Sequence, residues 1–220
     1  MHGWHSRSVI LLAIISLATS ACVGRKSNVV RHNDSGFQSV DTRICLGDLK
    51  AAAIRFQSLP NQDSGGGCHT IDTIKLLDFG TDATNLGAMT CPLAASFSAW
   101  ARYAARPAAK LYLGSDLVRI ETMGTYSCRN IGGGRSGRLS EHAHANAVDV
   151  SAFVLRDGRR VSVLDGWSGP QAERNFLRRL HASACKRFGT VLGPNYNAAH
   201  ANHLHFDMAK SMNDGSSYCR

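Results

Sequence analysis

A short stretch near the middle of the chain, SEHAHANAVDV, is rich in residue types that bind metal ions. It spans residues 140–150 and contains His142 and Asp149, with six residues between them. An apolar run follows, so we expect His142 in a loop and Asp149 in the strand that comes after it. In that arrangement the imidazole and the carboxylate can converge on one point, and a further ligand would come from elsewhere.

The second candidate stretch is His203-Leu204-His205, near the C-terminus. Side chains two positions apart on a strand project from the same face, so both histidines can face one cavity. Two imidazoles and one carboxylate with an open fourth position compose a catalytic zinc site. Zinc in such a site lowers the pKa of bound water to about 7 and polarises a carbonyl group. The two stretches together predict a zinc (Zn2+) site.

These residues also allow plainer interpretations. A histidine near a strand can be an ordinary hydrogen-bonded polar group, and a histidine pair beside a loop can be a surface tract. However, burying such groups without partners costs several kcal/mol, about 2–7 for a neutral polar group. An ordinary fold has no need of histidine and aspartate facing each other on strands, which favours the metal site.

The full pattern is S-x-H-x-x-(small)-x-A-x-D followed far downstream by H-x-H. It resembles the zinc peptidases grouped with lysostaphin, D-alanyl-D-alanine carboxypeptidase and the hedgehog signalling domain. The usual glycine after the first histidine is Ala145 here, which is also small. The resemblance implies that His142, Asp149 and His205 are the metal ligands and that His203 is a base or a transition-state stabiliser.

The same resemblance bears on two further positions. Some members of the group have a glutamate base three residues before the last ligand, where this chain has Asn202, so the chain resembles the H-x-H branch and its base is the least defined part. Arg129, in GTYSCR, matches an arginine that holds a substrate carboxylate or carbonyl, and a guanidinium suits this role because it donates two parallel hydrogen bonds. A surface arginine beside a disulfide cysteine is the alternative interpretation of Arg129.

A closer resemblance covers almost the whole chain after its N-terminal region. MTCPLAASFSAW, GTYSCRN, LSEHAHANAVDVSAF, FGTVLGPNYNAAHANHLHFDMA and the terminal YCR are similar to the bacterial extensin-like C-terminal domain family. The family name itself says little about activity. Its grouping with the zinc peptidases implies cleavage of peptidoglycan peptides.

The elements that would position these residues indicate an α+β fold, a small and mostly antiparallel sheet with flanking helices, disulfide-stabilised, around a zinc-peptidase core. Apolar spacing predicts helices over 46–59, 88–113 with an interruption at Pro107, and 169–189 closed by Gly189. Alternation predicts strands at IDTIKLLDF, from Leu117 onward and at HLHFDMA, and a hairpin of AVDVSAFVL and RRVSVL. These elements occupy a single predicted domain, residues 43–220.

The N-terminus is typical of a secretory signal, residues 1–21, with a basic start, an apolar run and small residues before Cys22. The apolar run is shorter than the roughly 20 residues that span a bilayer. The ending resembles a bacterial lipoprotein signal, in which Cys22 carries lipid, and cleavage after Ala21 is the alternative. Residues 22–42 then form a polar tether, and we expect an exported protein in the periplasm or cell envelope, membrane-anchored through Cys22.

The chain has seven cysteines, an odd number for an exported protein. If Cys22 carries lipid, six remain, which is enough for three disulfides in an oxidising compartment. Fifteen pairings are possible, and spacing does not choose among them.

The net charge of +9 suits an anionic partner. Export argues against nucleic acid, so we expect peptidoglycan as the partner. A solvated basic surface with no specific partner is the alternative interpretation of the charge. The predicted function is therefore a zinc-dependent peptidase-like protein acting on peptidoglycan crosslinks or stems. A non-catalytic peptidoglycan-binding protein with the same fold and a structural envelope lipoprotein remain the alternatives.

Overall fold

The computed structural model describes Met1, residues 38–210 and residues 216–220. The predicted signal peptide, Cys22 and most of the predicted tether lie outside these residues. Gln38–Arg220 form one compact unit. No helix within the described ranges is both long enough and apolar enough to cross a membrane.

The first helix, α1 (Val40–Ala51), begins where the Ser39 hydroxyl accepts a hydrogen bond from the Thr42 backbone N–H. The prediction of a helix over 46–59 is right only for its first part. The helix ends at Ala51, and Ala53 adopts a left-handed backbone with φ 58°. The remaining predicted segment forms a strand, because its backbone pairs with a neighbouring strand instead of continuing the helix.

The second helix, α2 (Cys91–Trp100), starts at the Thr90 cap and continues as further helical turns to Leu113. The interruption predicted at Pro107 is present as a change of helix type and not as an end of the helix. Wider π-helical turns, Ala101–Ala105 and Ala109–Leu113, lie on either side of the proline. Proline lacks an N–H and its ring crowds the preceding turn. The regular α-helical hydrogen bonds are therefore interrupted around it, and the adjacent turns are wider.

A third long helix, Gln171–Ala184, packs its apolar face on the sheet through buried residues that include Phe176 and Leu180. It ends five residues before Gly189, the stop that the sequence analysis predicted. The remaining helical segments are short: Val163–Gly166 and the 3-10 turns Ile131–Gly133, Glu141–His144 and Ala198–His200.

In the part of the chain that the structure describes, twelve strands form three sheets. They are β1 (Arg55–Ser58), β2 (Gln62–Gly65), β3 (Cys68–Thr70), β4 (Thr73–Asp78), β5 (Asp82–Thr84), β6 (Met89–Thr90), β7 (Leu117–Gly124), β8 (Ala147–Leu155), β9 (Arg160–Ser162), β10 (Thr190–Leu192), β11 (Leu204–Asp207) and β12 (Tyr218–Cys219). The main sheet has the order β12-β10-β11-β8-β7-β5, and β9 also pairs with β8. Two of its pairs, β10–β12 and β5–β7, are parallel, and the others are antiparallel. Smaller antiparallel sheets are β1-β4-β6 and β2-β3. The fold class is therefore α+β, as predicted.

The pairing of β8 with β11 separates an apolar face from a polar one. Val148 pairs with Phe206 and Val150 with Leu204, and all four side chains are buried. The Phe206 ring lies 5.0 Å from that of Trp100, which is wholly buried in the core. Because alternate residues point to opposite faces, the residues between these apolar positions project together from the other side of the sheet.

Three disulfides join the described cysteines: Cys45–Cys91, Cys68–Cys128 and Cys185–Cys219. They close segments of 46, 60 and 34 residues. By the chain-entropy relation, each disulfide raises the free energy of the unfolded chain by about 4 kcal/mol and so stabilises the folded protein. The expectation of three bridges among the six cysteines other than Cys22 is confirmed.

Candidate metal centre

The three predicted ligands lie together on the polar face of the β8–β11 pair. Asp149 and His205 are directly opposite each other in the register of the two antiparallel strands. His142 lies in the 3-10 turn that precedes β8, where the Ser140 hydroxyl accepts a hydrogen bond from the His142 backbone N–H. Two paired strands and the turn that leads into one of them therefore assemble the whole cluster.

The distances within the cluster are short. His142 Nε2 lies 3.1 Å from Asp149 Oδ2, and His205 Nδ1 lies 2.8 Å from Asp149 Oδ1. The two imidazole nitrogens are 3.3 Å apart. One donor atom from each residue can be chosen so that all three lie within 4.8 Å of one another, and all three residues are buried.

The hydrogen-bond partners of the ring nitrogens that face away from Asp149, Nδ1 of His142 and Nε2 of His205, indicate the tautomers of the two rings. His142 Nδ1 lies 3.1 Å from the carbonyl oxygen of Thr125, which can only accept, so this nitrogen carries the proton. His205 lies between two carboxylates, with Nε2 2.9 Å from Asp207 Oδ2 and Nδ1 2.8 Å from Asp149 Oδ1, so a neutral ring donates to only one of them. In the tautomer that donates to Asp207, His142 Nε2 and His205 Nδ1 are both lone-pair donors that point toward Asp149.

This arrangement fits a metal cation. With both rings neutral and in these tautomers, two imidazole lone pairs and a carboxylate converge with no hydrogen between them, which is unfavourable unless a cation or a proton occupies the space. The donor set of two nitrogens and one oxygen is a zinc-type set with three protein ligands. The outer hydrogen bonds to Thr125 and Asp207 are of the kind that orient metal-binding histidines.

The pKa shifts of Asp149 and His205 also indicate that the cluster favours a positive charge. Burial by itself raises the pKa of Asp149, but the adjacent imidazoles of His142 and His205, when they carry a proton toward it, lower it more, so the carboxylate stays ionised. Burial lowers the pKa of His205, yet its hydrogen bonds to Asp149 and Asp207 raise it to about 9. In the metal-free protein, a proton on His205 therefore supplies the positive charge that the two carboxylates require.

His203, the predicted base, lies beside this cluster. Its Nε2 is 3.6 Å from Asp149 Oδ1, and its Nδ1 is 2.9 Å from the Asn202 side-chain oxygen. Burial lowers the pKa of His203, and the charge of Asp149 opposes that effect only in part. His200, whose ring is 5.1 Å from that of His203, extends the row of imidazoles toward Tyr196.

Arg129, the predicted substrate residue, reaches the same place. Its guanidinium nitrogen is 3.7 Å from Asp149 Oδ2, and its side chain is 40% exposed. It follows Cys128, which is joined by its disulfide to Cys68 of β3. The arginine is therefore anchored near the cluster while its outer part remains open to solvent.

Two backbone features shape the turn around His142. Gly124, paired with Asp149 at the end of β7, has φ +119°, a conformation that side chains rarely adopt, and it leads into Thr125. Ala145 follows the 3-10 turn with φ 53°. This left-handed conformation favours glycine, so Ala145 holds it at some cost in backbone strain.

Among the described residues, His69, His144 and His181 are not part of the cluster. The ring of His144 is 4.5 Å from that of His69. His181 lies near Cys185 and Cys219, but those sulfurs are joined to each other and so have no thiolates to offer.

The Thr125 carbonyl could not be predicted from the sequence, because every residue type has a backbone carbonyl oxygen. Asp207 lies two residues beyond His205 on the same strand, and the structure shows that its partner is His205. No spacing rule places His200 beside His203, where the structure has it.

The fold and the site define an α+β domain that carries a buried His–Asp–His cluster on a disulfide-linked scaffold. The family model described as Extensin-like protein C-terminus matches residues 43–220, and the chain belongs to this family. Neither the curated proteins nor the solved structures gave a significant match.

Proposed function

We propose that this protein is an exported zinc-dependent peptidase that cleaves peptidoglycan peptides, with His142, Asp149 and His205 as the metal ligands. The proposal depends on one observation above all: three buried donor atoms converge with both imidazole lone pairs directed at one carboxylate. The resemblance of the S-x-H and H-x-H motifs to the zinc peptidases supports the reaction class, and the family's grouping with them supports the substrate.

In this proposal a bound zinc ion would supply a water of lowered pKa and a Lewis acid for the scissile carbonyl. His203, 3.6 Å from Asp149, would accept a proton during attack or stabilise the developing oxyanion. Arg129 would hold a substrate carboxylate or carbonyl with its partly exposed guanidinium. Peptidoglycan stem peptides carry such carboxylates, and the protein's net charge of +9 would attract the anionic polymer.

Localisation belongs to the same proposal. A secretory signal in residues 1–21 and lipid on Cys22 would place the domain in the cell envelope at the membrane surface. The three disulfides agree with an oxidising compartment.

The metal assignment is tested by elemental analysis of purified protein after zinc reconstitution and removal of free metal. We expect one zinc ion per chain in the wild type and loss of that ion in His142→Ala and His205→Ala. His69→Ala is the matched control, since His69 lies outside the cluster, and it should retain the ion. A wild-type protein that stays metal-free after reconstitution would refute the assignment.

A second candidate function is non-catalytic peptidoglycan binding. It is favoured by Asn202. Some of the zinc peptidases that the motif resembles carry a glutamate base at this position, and an asparagine side chain cannot accept a proton as a glutamate does. Incubation with purified sacculi, followed by separation of the released muropeptides, discriminates between the two functions. Products that disappear in Asp149→Ala indicate an enzyme, whereas retention on sacculi without products indicates a binding protein.

A further inference from the structure

A cavity of about 340 Å³ lies between α1, the end of β4 and the helix that continues from α2. Its apolar wall includes Leu49, Ile54 and Phe79. None of its lining residues belongs to the candidate metal centre. Its volume is at the lower end of the range of small-molecule sites, about 300–1,000 Å³.

The helical wall of this cavity carries a polar row. Ser98, Arg102 and Arg106 line the cavity and are spaced four residues apart, so they lie near one another along the same side of the helix. The row runs from α2 into the wider π turn Ala101–Ala105. Such turns are frequently found at functional sites.

Ser98 is the unusual member of the row. The residue is 2% exposed, and its Oγ has no hydrogen-bond partner among the described residues. A buried hydroxyl without a partner costs about 1–3 kcal/mol. Ser98 lines the cavity, but its hydroxyl is closed to solvent, so the hydroxyl meets a ligand there only after a change of its rotamer.

The two arginines provide positive charge at the same wall. Arg102 donates to the Ala52 carbonyl oxygen at 3.4 Å, and its guanidinium lies 5.8 Å from the Tyr103 ring centroid. The guanidinium of Arg106 has no ion pair or hydrogen bond within residues 38–210 and 216–220, and it lies against Gly80. Two carboxylates also line the cavity: Asp78 is paired with Arg55, and Asp48 is exposed.

We propose that this cavity binds a small organic carboxylate with an apolar body. The apolar body would lie against Leu49, Ile54 and Phe79, and the carboxylate would accept hydrogen bonds along the row of Ser98, Arg102 and Arg106. Charge-assisted hydrogen bonds of this kind are the strong ones in proteins. This ligand site is independent of the metal centre and of the proposed peptidase activity.

Isothermal titration calorimetry of the purified protein with decanoate tests the proposal. We expect saturable binding of one decanoate per chain, with decanol and acetate at least tenfold weaker because each lacks one half of the recognised chemistry. No saturable decanoate binding, or decanol binding as tight as that of decanoate, would overturn it. Association with phosphatidylglycerol vesicles in the absence of decanoate binding would likewise overturn it in favour of a lipid-surface role.

Four variants, one of them a control, locate the binding. Arg106→Gln should weaken decanoate about tenfold, whereas Lys110→Gln, an exposed cation one turn further on that does not line the cavity, should leave it unchanged. Ala99→Phe should fill the cavity and abolish binding. Ser98→Ala should weaken binding and yet raise the melting temperature of the free protein, because it removes the unpartnered hydroxyl. If Ala99→Phe fails to fold, Arg106→Gln and Ser98→Ala decide alone, and decanoate affinity unchanged in both refutes the site.

Discussion

The Nε2 atom of His205 lies 2.9 Å from Oδ2 of Asp207, two residues further along the same strand. Both side chains project from the polar face of β11, so Asp207 holds the ring while the opposite nitrogen, Nδ1, faces Asp149. The same carboxylate accepts the Ala209 backbone N–H at Oδ1, which fixes its own orientation. Asp207 is therefore a positioning residue for the candidate ligand His205.

Asp207→Asn should weaken zinc binding about tenfold, because the amide is a poorer acceptor for the His205 N–H and no longer increases the basicity of the ring. A competition titration with a chromophoric chelator measures this affinity. Asp116→Asn, which alters an exposed carboxylate paired with Arg156, is the control. Equal zinc affinities of the wild type and Asp207→Asn would contradict the positioning role.

Arg129→Gln should change zinc binding and substrate binding in opposite directions. The guanidinium lies 3.7 Å from Asp149 Oδ2 and opposes a second positive charge there. Since the side chain is partly exposed, we expect zinc affinity to rise only by roughly two- to tenfold. Peptidoglycan cleavage should instead fall through a higher KM. A parallel loss of zinc affinity would show that Arg129 has a structural role.

His203→Ala should retain zinc and lose activity. Removal of a general base or an oxyanion stabiliser costs about 10²–10⁴-fold in kcat. Muropeptide release from sacculi, normalised to the zinc content of each preparation, measures the effect. His144→Ala is the matched control, since its ring packs on His69 away from the donor set. Treatment with a chelator should abolish the activity of the wild type, and zinc should restore it.

The Cys68–Cys128 disulfide should contribute both to stability and to the position of Arg129. A Cys68→Ser/Cys128→Ser double variant should lose about 4 kcal/mol of unfolding free energy if the unfolded-chain constraint dominates. Chemical denaturation measures the loss. The equivalent variant of Cys45 and Cys91 should lose a similar amount of stability but keep its KM for substrate, because neither cysteine is next to Arg129 in the chain.

His181 should make stability depend on pH in a defined direction. Burial lowers its pKa from 6.5, and the hydrogen bond to the Arg220 carbonyl oxygen opposes this only in part. The unfolded chain therefore binds a proton first, and unfolding free energy should fall as the pH drops below about 6.5. Denaturation at pH 7 and pH 5 should show a smaller decrease in His181→Gln than in the wild type. Identical decreases in the two proteins would contradict this effect.

The alternation of apolar and polar residues was sufficient to place Asp149 and His205 each on a strand, because it sets which side chains share a face, but it did not show that these two strands pair directly. The sequence was insufficient for the end of α1. Apolar spacing continues past Ala51, but the left-handed Ala53 and the pairing of Arg55–Ser58 with β4 end the helix, and both depend on the rest of the fold. The disulfide pairing could not be predicted either, since it follows from spatial proximity and not from spacing.

Strand register has a consequence for the order of events in folding. Asp149 and His205 are 56 residues apart in the chain, and His142 and His205 are 63 apart. Only the correct pairing of β8 with β11 aligns them, and a slip of one residue would turn one strand's donors to the opposite face. The complete site therefore forms late, after the central strands have paired, and a metal ion would be acquired by a nearly native chain and would not guide the chain's early collapse.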